Sequence, residues 1–186
     1  PQDAIRIVER EADGFSEEAV HEHLKKAQAS ATPSVPARGC PSSRALSMAQ
    51  GPRGKKTGSS SSEPALSELV NWPVQLCLVP VQAPYLKNAD LLIAADCVAF
   101  SLPDFHERLL AGKILVIACP KLDNASVYVE KLAQIFALND IRSLTIAHME
   151  VPCCFGLGMI VEDALKRAGR KIEIRDIVVG IDGKIK

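Results

Sequence analysis

Residues 91–97 read LLIAADC, residues 114–119 read ILVIAC and residues 143–152 read SLTIAHMEVP. Each is a nearly continuous apolar run of strand length. A strand covered on both faces shows no polar alternation, so runs of this kind belong to parallel sheets. Helical patterns separate them. LPDFHERLLAG (102–112) reads as a helix closed by Gly112, and NASVYVEKLAQIFALND (124–140) as a second. CFGLGMIVEDALKRAG (154–169) reads as a third, closed by Gly169. The 3.6-residue period places Val127, Leu132, Ile135 and Phe136 on one face of the second helix, and Ile160, Val161, Ala164 and Leu165 on one face of the third. Alternating β and α of these lengths predicts an α/β fold: an open, mainly parallel sheet, doubly wound with helices on both faces.

Working outward, VQLCLV (74–79) reads as an earlier strand and APYLKNA (83–89) as a short crossover. Pro64 to Val70 reads as a short helix ending near Trp72-Pro73, and IEIRDIVVGI (172–181) as a closing strand or hairpin. Toward the start, Ala4, Ile5, Ile7 and Val8 suit a short strand. A helix over 16–29 follows, capped by Ser16, with acidic residues in its first turn and Lys25 and Lys26 near its end. Residues 30–63 are rich in Pro, Gly and Ser, with serines at 59–62. Such a segment buries too little apolar surface to offset its ordering entropy and is read as a flexible linker. Three regions result: 1–29, the linker 30–63, and a cysteine-bearing α/β domain over 64–186.

The chain has 186 residues, with 22 basic and 22 acidic side chains. That balance argues against a general nucleic-acid binder, and aromatic content of 4% leaves little for base stacking. No apolar run is long enough to span a membrane. Six cysteines in this length are too few for a disulfide-built scaffold, and they fall in apolar runs, so the thiols are expected to be reduced and the protein cytoplasmic.

The cysteines carry the functional reading. Cys77 lies within VQLCLV, where a thiol behaves as a small buried hydrophobe. Cys97, Cys119 and the pair Cys153-Cys154 fall at or just past the carboxyl ends of three expected strands. Those ends share one edge of an open α/β sheet, and ligands bind there. Thiols gathered in a reducing compartment point to metal, an iron–sulfur centre or redox chemistry. In PCCFGLG (152–158), Gly156 and Gly158 allow close backbone approach to a ligand. The helix that follows directs its N-terminal N–H groups and positive dipole toward the pair, a setting that lowers thiol pKa. The same setting suits a phosphate, but GLG followed by Val161 lacks the third small residue of a dinucleotide fingerprint. GPRGKKTG (51–58) is not a phosphate loop, since Gly54-Lys55 is followed by Lys56. His148 and Cys40 are further candidate ligands. Asp96, Asp104, His106 and Asp123 flank the same edge, with Asp104 and Asn124 at helix starts. His21 and His23 point to different faces of a helix and do not form a metal pair.

With these residues in view, the chain resembles the C-terminal part of two-domain, ferredoxin-type 4Fe–4S proteins of anaerobic bacteria and archaea. The resemblance rests on NADLLIAADCVAFSLPDFH (88–106), LVIACPKLD (115–123) and HMEVPCCFGL (148–157), preceded by GCPSSR (39–44). It implies an N-terminal dicluster ferredoxin domain whose last cluster cysteine precedes the opening PQDAIRI, so that this domain's cysteines lie outside the chain. It names a redox setting rather than a reaction.

The expected activity is electron transfer or redox sensing, through an iron–sulfur cluster on Cys97, Cys119, Cys153 and Cys154, with zinc as the alternative metal. The missing ferredoxin domain and an unidentified redox enzyme would be its partners, with no nucleic acid and no membrane. Two other classes compete: a metal-free docking or small-anion-binding module, and a thiol protein cycling Cys153-Cys154 between dithiol and disulfide.

Overall fold

The computed structural model describes residue 17, residues 45–48 and residues 66–186. The chain divides into two units, Pro1–Arg38 and Gly39–Lys186. Of the first, only Glu17 is described, and it is helical. The expected strand near Ile5, the body of the 16–29 helix, His21, His23, Cys40 and most of the 30–63 linker lie outside the described residues.

The second unit is built on a four-stranded parallel sheet. After a short antiparallel pair, β1 (Leu46–Ser47) and β2 (Asn71–Trp72), come β3 (Asp90–Ala95), β4 (Ile114–Ala118), β5 (Ser143–Met149) and β6 (Ile174–Val179). The sheet order is β4-β3-β5-β6. The chain therefore leaves β3 to one side and returns past it to the other. Right-handed crossovers then require the β3–β4 connection to lie on one face and the two later connections on the opposite face. Accordingly, helices α2 (Ala125–Leu138) and α3 (Gly156–Ala168) pack on each other, while the short α1 (Val98–Ser101) packs on β3 and β5. The expected α/β, doubly wound architecture is what the chain adopts.

The strands form where the apolar runs predicted them. Leu91, Leu92, Ile93 and Ala94 are fully buried, because β3 is covered on both faces and paired on both sides. Asn124 caps α2, its side chain accepting from the Ser126 N–H at 3.0 Å. Leu132, Ile135 and Phe136 face the core from α2, as do Ile160, Val161, Ala164 and Leu165 from α3. Val127 does not: it is exposed, and Tyr128 takes the buried position one residue on. Gly169 ends α3 at φ +63°, with the Arg170 N–H donating to the Leu165 carbonyl, a left-handed cap that glycine adopts without strain.

Other expectations fail for identifiable reasons. Residues 66–70 form no helix; they run irregularly into β2. VQLCLV is not a ladder strand. It makes one parallel bridge, Gln75 to Ile117, with Leu76 N–H donating to the Ile117 carbonyl and Ile117 N–H to the Val74 carbonyl. The chain then turns at Leu78, and Cys77 is exposed rather than buried. LPDFHERLLAG yields only a π-helical turn over His106–Leu110, because the chain turns through Pro103 and Asp104 before it can start a helix. Part of the presumed linker is ordered, since Leu46 and Ser47 pair with β2. The closing segment is both of the expected things: β6 runs parallel to β5, then turns back so that Ile185 bridges Val179.

Segment 71–76 shields the outer edge of β4. Asn71 is fully buried and acts as a strand fragment: its Nδ2 donates to the Leu115 carbonyl and its Oδ1 accepts from the Leu115 N–H, both at 2.9 Å. Removing it leaves two buried backbone groups unpaired at an open sheet edge. Asn71→Ala is expected to lower unfolding free energy by about 2–4 kcal/mol, read from urea denaturation at matched m-value.

At the opposite end of the strands, Asp90 accepts from Arg142 Nε at 2.9 Å and from Ser143 Oγ at 2.6 Å, tying β3 to β5. The Arg142 hydrogen bond is the main cause that holds the Asp90 carboxyl down at about 2. A carboxylate lowered in the fold stabilises above its unfolded pKa, about 4, and loses that contribution as pH falls through its folded value. Asp90→Asn should therefore melt a few degrees below the parent at neutral pH. The gap should narrow below about pH 4 and close near pH 2, followed by thermal melts across that range. Arg142 is largely exposed, which limits the size of the effect.

Candidate functional site

The strand order settles how the cysteine-bearing loops are arranged. Cys97 follows β3, Cys119 follows β4, and Cys153 and Cys154 follow β5, and β3 lies between the other two. The topological switch lies between β3 and β5, where the chain's progression reverses direction across the sheet. Continuing the parallel registers one step sets Asp96 level with Cys119, since Ala95 pairs with Ala118. It also sets Asp96 level with Met149, since Ala94 pairs with Ala147 two residues earlier.

Each loop is held in its own way. Cys97 precedes α1, and its carbonyl accepts from both the Ser101 N–H and the Ser101 hydroxyl, at 3.1 and 2.9 Å. Its side chain is exposed. Cys119 is half-buried; its N–H donates to Tyr128 Oη at 3.4 Å. That hydroxyl donates in turn to Asp123 and accepts from Gln75, so α2 fixes the Cys119-Pro120 turn. The chain after β5 folds into a 3-10 turn over Pro152–Cys154, with the Cys154 N–H donating to the Val151 carbonyl. The turn leaves Cys153 exposed and tucks Cys154 under it, 5% exposed.

Cys154 is the thiol on which Cys153 and Cys97 act. It receives a backbone hydrogen bond from Met149, at the end of β5, and is in side-chain contact with Cys153 and within electrostatic range of Cys97. Its titration runs against the sequence expectation. Burial, above all, pushes the Cys154 thiol up, and the neighbouring Cys153 and Cys97 add to the shift. The helix dipole is the weaker influence here, because desolvation of a thiolate outweighs a partial charge one turn away.

The remaining candidates divide. Gly156 opens α3 against the second loop: a Cβ there would sit 3.7 Å from the Pro120 Cβ, an ordinary contact. It brings the Cys119 and Cys154 loops together, but close packing does not demand glycine. Gly158 faces open space. His148 is buried and committed elsewhere, with Nδ1 2.8 Å from the Met149 carbonyl and Nε2 3.4 Å from Asp176 on β6. His106 Nδ1 accepts from the Glu68 N–H, and Asp104 pairs with Arg108 in place of capping a helix. Among the described residues, no group of three or more His, Cys, Asp or Glu side chains is arranged to hold a metal ion as the side chains stand.

Two features went unread in the sequence. Asp96, one residue before Cys97, has a buried Oδ1 with no hydrogen-bond partner among the described residues. Burial, and then the charge of Asp123, raise its pKa. The C-terminal turn also braces the edge. Glu150 accepts from the Ile181 N–H and pairs with Lys186, and Gly183, at φ +78°, lies where a Cβ would come within 2.8 Å of the Ser101 carbonyl. Only glycine lets that turn close on α1. Exposed apolar side chains lie close in sequence to the thiols: Phe100 is 93% exposed, and Leu122 and Phe155 are also exposed, as is Ile181 in the C-terminal turn. A groove of about 410 Å³, lined by Glu162, Lys166, Arg170 and Lys171, lies at the far end of α3, away from the cysteines.

These features define a doubly wound α/β domain with thiols on its switch-point edge. The chain belongs to the Rossmann-like domain family, which it matches over residues 83–186. It is similar to an uncharacterized protein of Archaeoglobus fulgidus, with 33% identity over 120 residues, covering 64% of this chain and 84% of the relative. No solved structure matches it. Among the described residues, no helix is long and apolar enough to cross a membrane. The loop after β3, Asp96-Cys97, contains no glycine, so the first βα turn is not a pyrophosphate cradle.

Burial sets the order of thiol reactivity. In native protein at neutral pH, iodoacetamide is expected to label the exposed Cys77, Cys97 and Cys153 ahead of Cys154. Cys154 should react roughly tenfold more slowly or less until the edge opens, as followed by peptide mass spectrometry over time.

Proposed function

We propose that this domain is an electron-transfer or redox-sensing module whose working groups are the thiols of the switch-point edge. Cys97, Cys153, Cys154 and, across β3, Cys119 are the ligands of an iron–sulfur cluster in this reading. The observation that carries it is the strand order, which sets three cysteine-bearing loops side by side in the order Cys119, Cys97, Cys153-Cys154. Soft thiolates at neighbouring strand ends suit iron–sulfur centres or zinc, and favour the former where electrons are to be moved. Bound there, a cluster would accept and release single electrons. The chain's own part is to hold the thiols. Tyr128 and Asp123 fix the Cys119 turn, Ser101 fixes Cys97, and the 3-10 turn fixes the vicinal pair. Ligation requires a shift of side chains, Cys119 included, whose strand lies on the other side of β3 but whose loop meets that of Cys154 through Pro120 and Gly156. A ferredoxin-type domain is the electron partner in this reading.

A second reading has its own support. The direct contact of Cys153 and Cys154 favours a metal-free dithiol protein. The deciding measurement is iron, acid-labile sulfide and zinc per chain after oxygen-free reconstitution, alongside a Cys153→Ser, Cys154→Ser variant. Stoichiometric iron and sulfide, lost in the variant, is the expected result. Absence of metal from the parent removes the cluster and leaves the dithiol.

A further inference from the structure

We propose that Cys97 and Cys154 form a reversible disulfide in the metal-free protein, closing the thiol edge against cluster uptake. The inference rests on the thiol edge invoked above but not on its metal.

The register brings the loops that carry these two cysteines side by side. β3 and β5 are neighbouring parallel strands, about 4.8 Å apart. Asp96 is level with Met149 by continuation of the ladder, which puts Cys97 one residue beyond that level. The 3-10 turn folds Cys154 back until it meets the backbone of Met149. A thiol two residues past the end of β3 and a thiol returned to the end of β5 thus lie on neighbouring strand ends. Neighbouring parallel strands are themselves spaced within the Cα range a disulfide accepts, about 4.4–6.8 Å. Cys154 also interacts electrostatically with Cys97 directly.

The competing pairs are less well placed. Cys153 and Cys154 are adjacent in a hydrogen-bonded turn, and joining them closes a strained ring. Cys119 ends the strand on the far side of β3, its loop meets that of Cys154 through Pro120 and Gly156, and its N–H is tied to Tyr128.

The oxidant is a low-molecular-weight disulfide. Exposed Cys97, as thiolate, attacks one of its sulfurs. The S–S bond breaks, and the departing thiolate takes up the proton that Cys97 released. Cys154 then gives up its proton and attacks the Cys97 sulfur of the mixed disulfide. The second small thiolate leaves and is protonated. Two protein thiols lose two electrons and two protons, and the small disulfide becomes two thiols. The product staples the loop before α1 to the turn before α3 and withdraws two ligands.

The test uses the full chain, freed of metal, reduced, and then incubated with oxidised glutathione before alkylation and tryptic digestion. The cysteines of interest fall on separate peptides: 88–108 holds Cys97, 114–121 holds Cys119 and 143–166 holds the pair. The expected product is a dithiothreitol-sensitive link between 88–108 and 143–166. Its tandem mass spectrum should show alkylated Cys153 and linked Cys154, and Cys153→Ser should retain the link. A disulfide internal to 143–166, a link to 114–121, a link through Cys153, or glutathione adducts alone would each overturn the proposal. The result is independent of iron. A link in protein that binds no iron keeps this pair and removes the cluster, while iron binding with no link does the reverse.

Discussion

Parallel pairing of β3 on both of its sides is the constraint from which the rest follows. Leu91 to Ala95 contribute no exposed surface, and every one of them is registered against β4, with Leu91 to Ala94 also registered against β5. A strand held this way cannot slip by one residue, because the two ladders and both packed faces would have to shift together. Its carboxyl end is therefore fixed relative to those of β4 and β5. The positions of Cys97, Cys119 and the vicinal pair are consequences of that one rigid alignment. The outer segment 71–76 protects the alignment from the side, with the Asn71 side chain standing in for backbone along β4.

Much of this architecture is legible in the sequence because buried parallel strands have a strong signal. Runs such as LLIAA and SLTIAHM have no amphipathic alternative, and the caps at Asn124 and Gly169 mark helix ends through their own local chemistry. What misled was the same signal in weaker form. VQLCLV has the composition of a strand, but it lies at the sheet's rim, where Asn71 and Gln75 supply the pairing and the chain turns at once. Its cysteine is exposed for that reason. LPDFHERLLAG has helix-forming residues, but the crossover from β3 to its immediate neighbour is short, and α1 with a single π-helical turn fills it. Tertiary spacing decided both cases, and no local pattern encodes it.

The candidate site divides along similar lines. Sequence position identified which thiols share an edge, since strand ends are readable. It did not reveal which are exposed, because that depends on a 3-10 turn of three residues that points Cys153 outward and Cys154 inward. Nor did it reveal that His148 would turn to Met149 and Asp176, or that Asp96 would have a buried oxygen unpaired among the described residues. The helix dipole argument was sound as electrostatics but incomplete. Partial charge at a helix start acts within about a turn and is worth about 1 kcal/mol or less at the surface, whereas withdrawing a thiolate from water opposes ionisation more strongly. At Cys154 the second effect prevails.

The same fold elsewhere uses a glycine-rich first turn to bring phosphate against helix N–H groups. Here the corresponding turn is Asp-Cys, and α1, only four residues long, offers little dipole to an anion. The fold's usual means of anion capture is thus absent at its usual place, while the switch point between β3 and β5 is retained. What occupies that point is sulfur, bordered by exposed Phe100 and Phe155. A family name covering many chemistries does not choose among them; the residues at the switch point do. Thiols there, one buried and two exposed on adjoining loops, are the chemistry that the switch point presents.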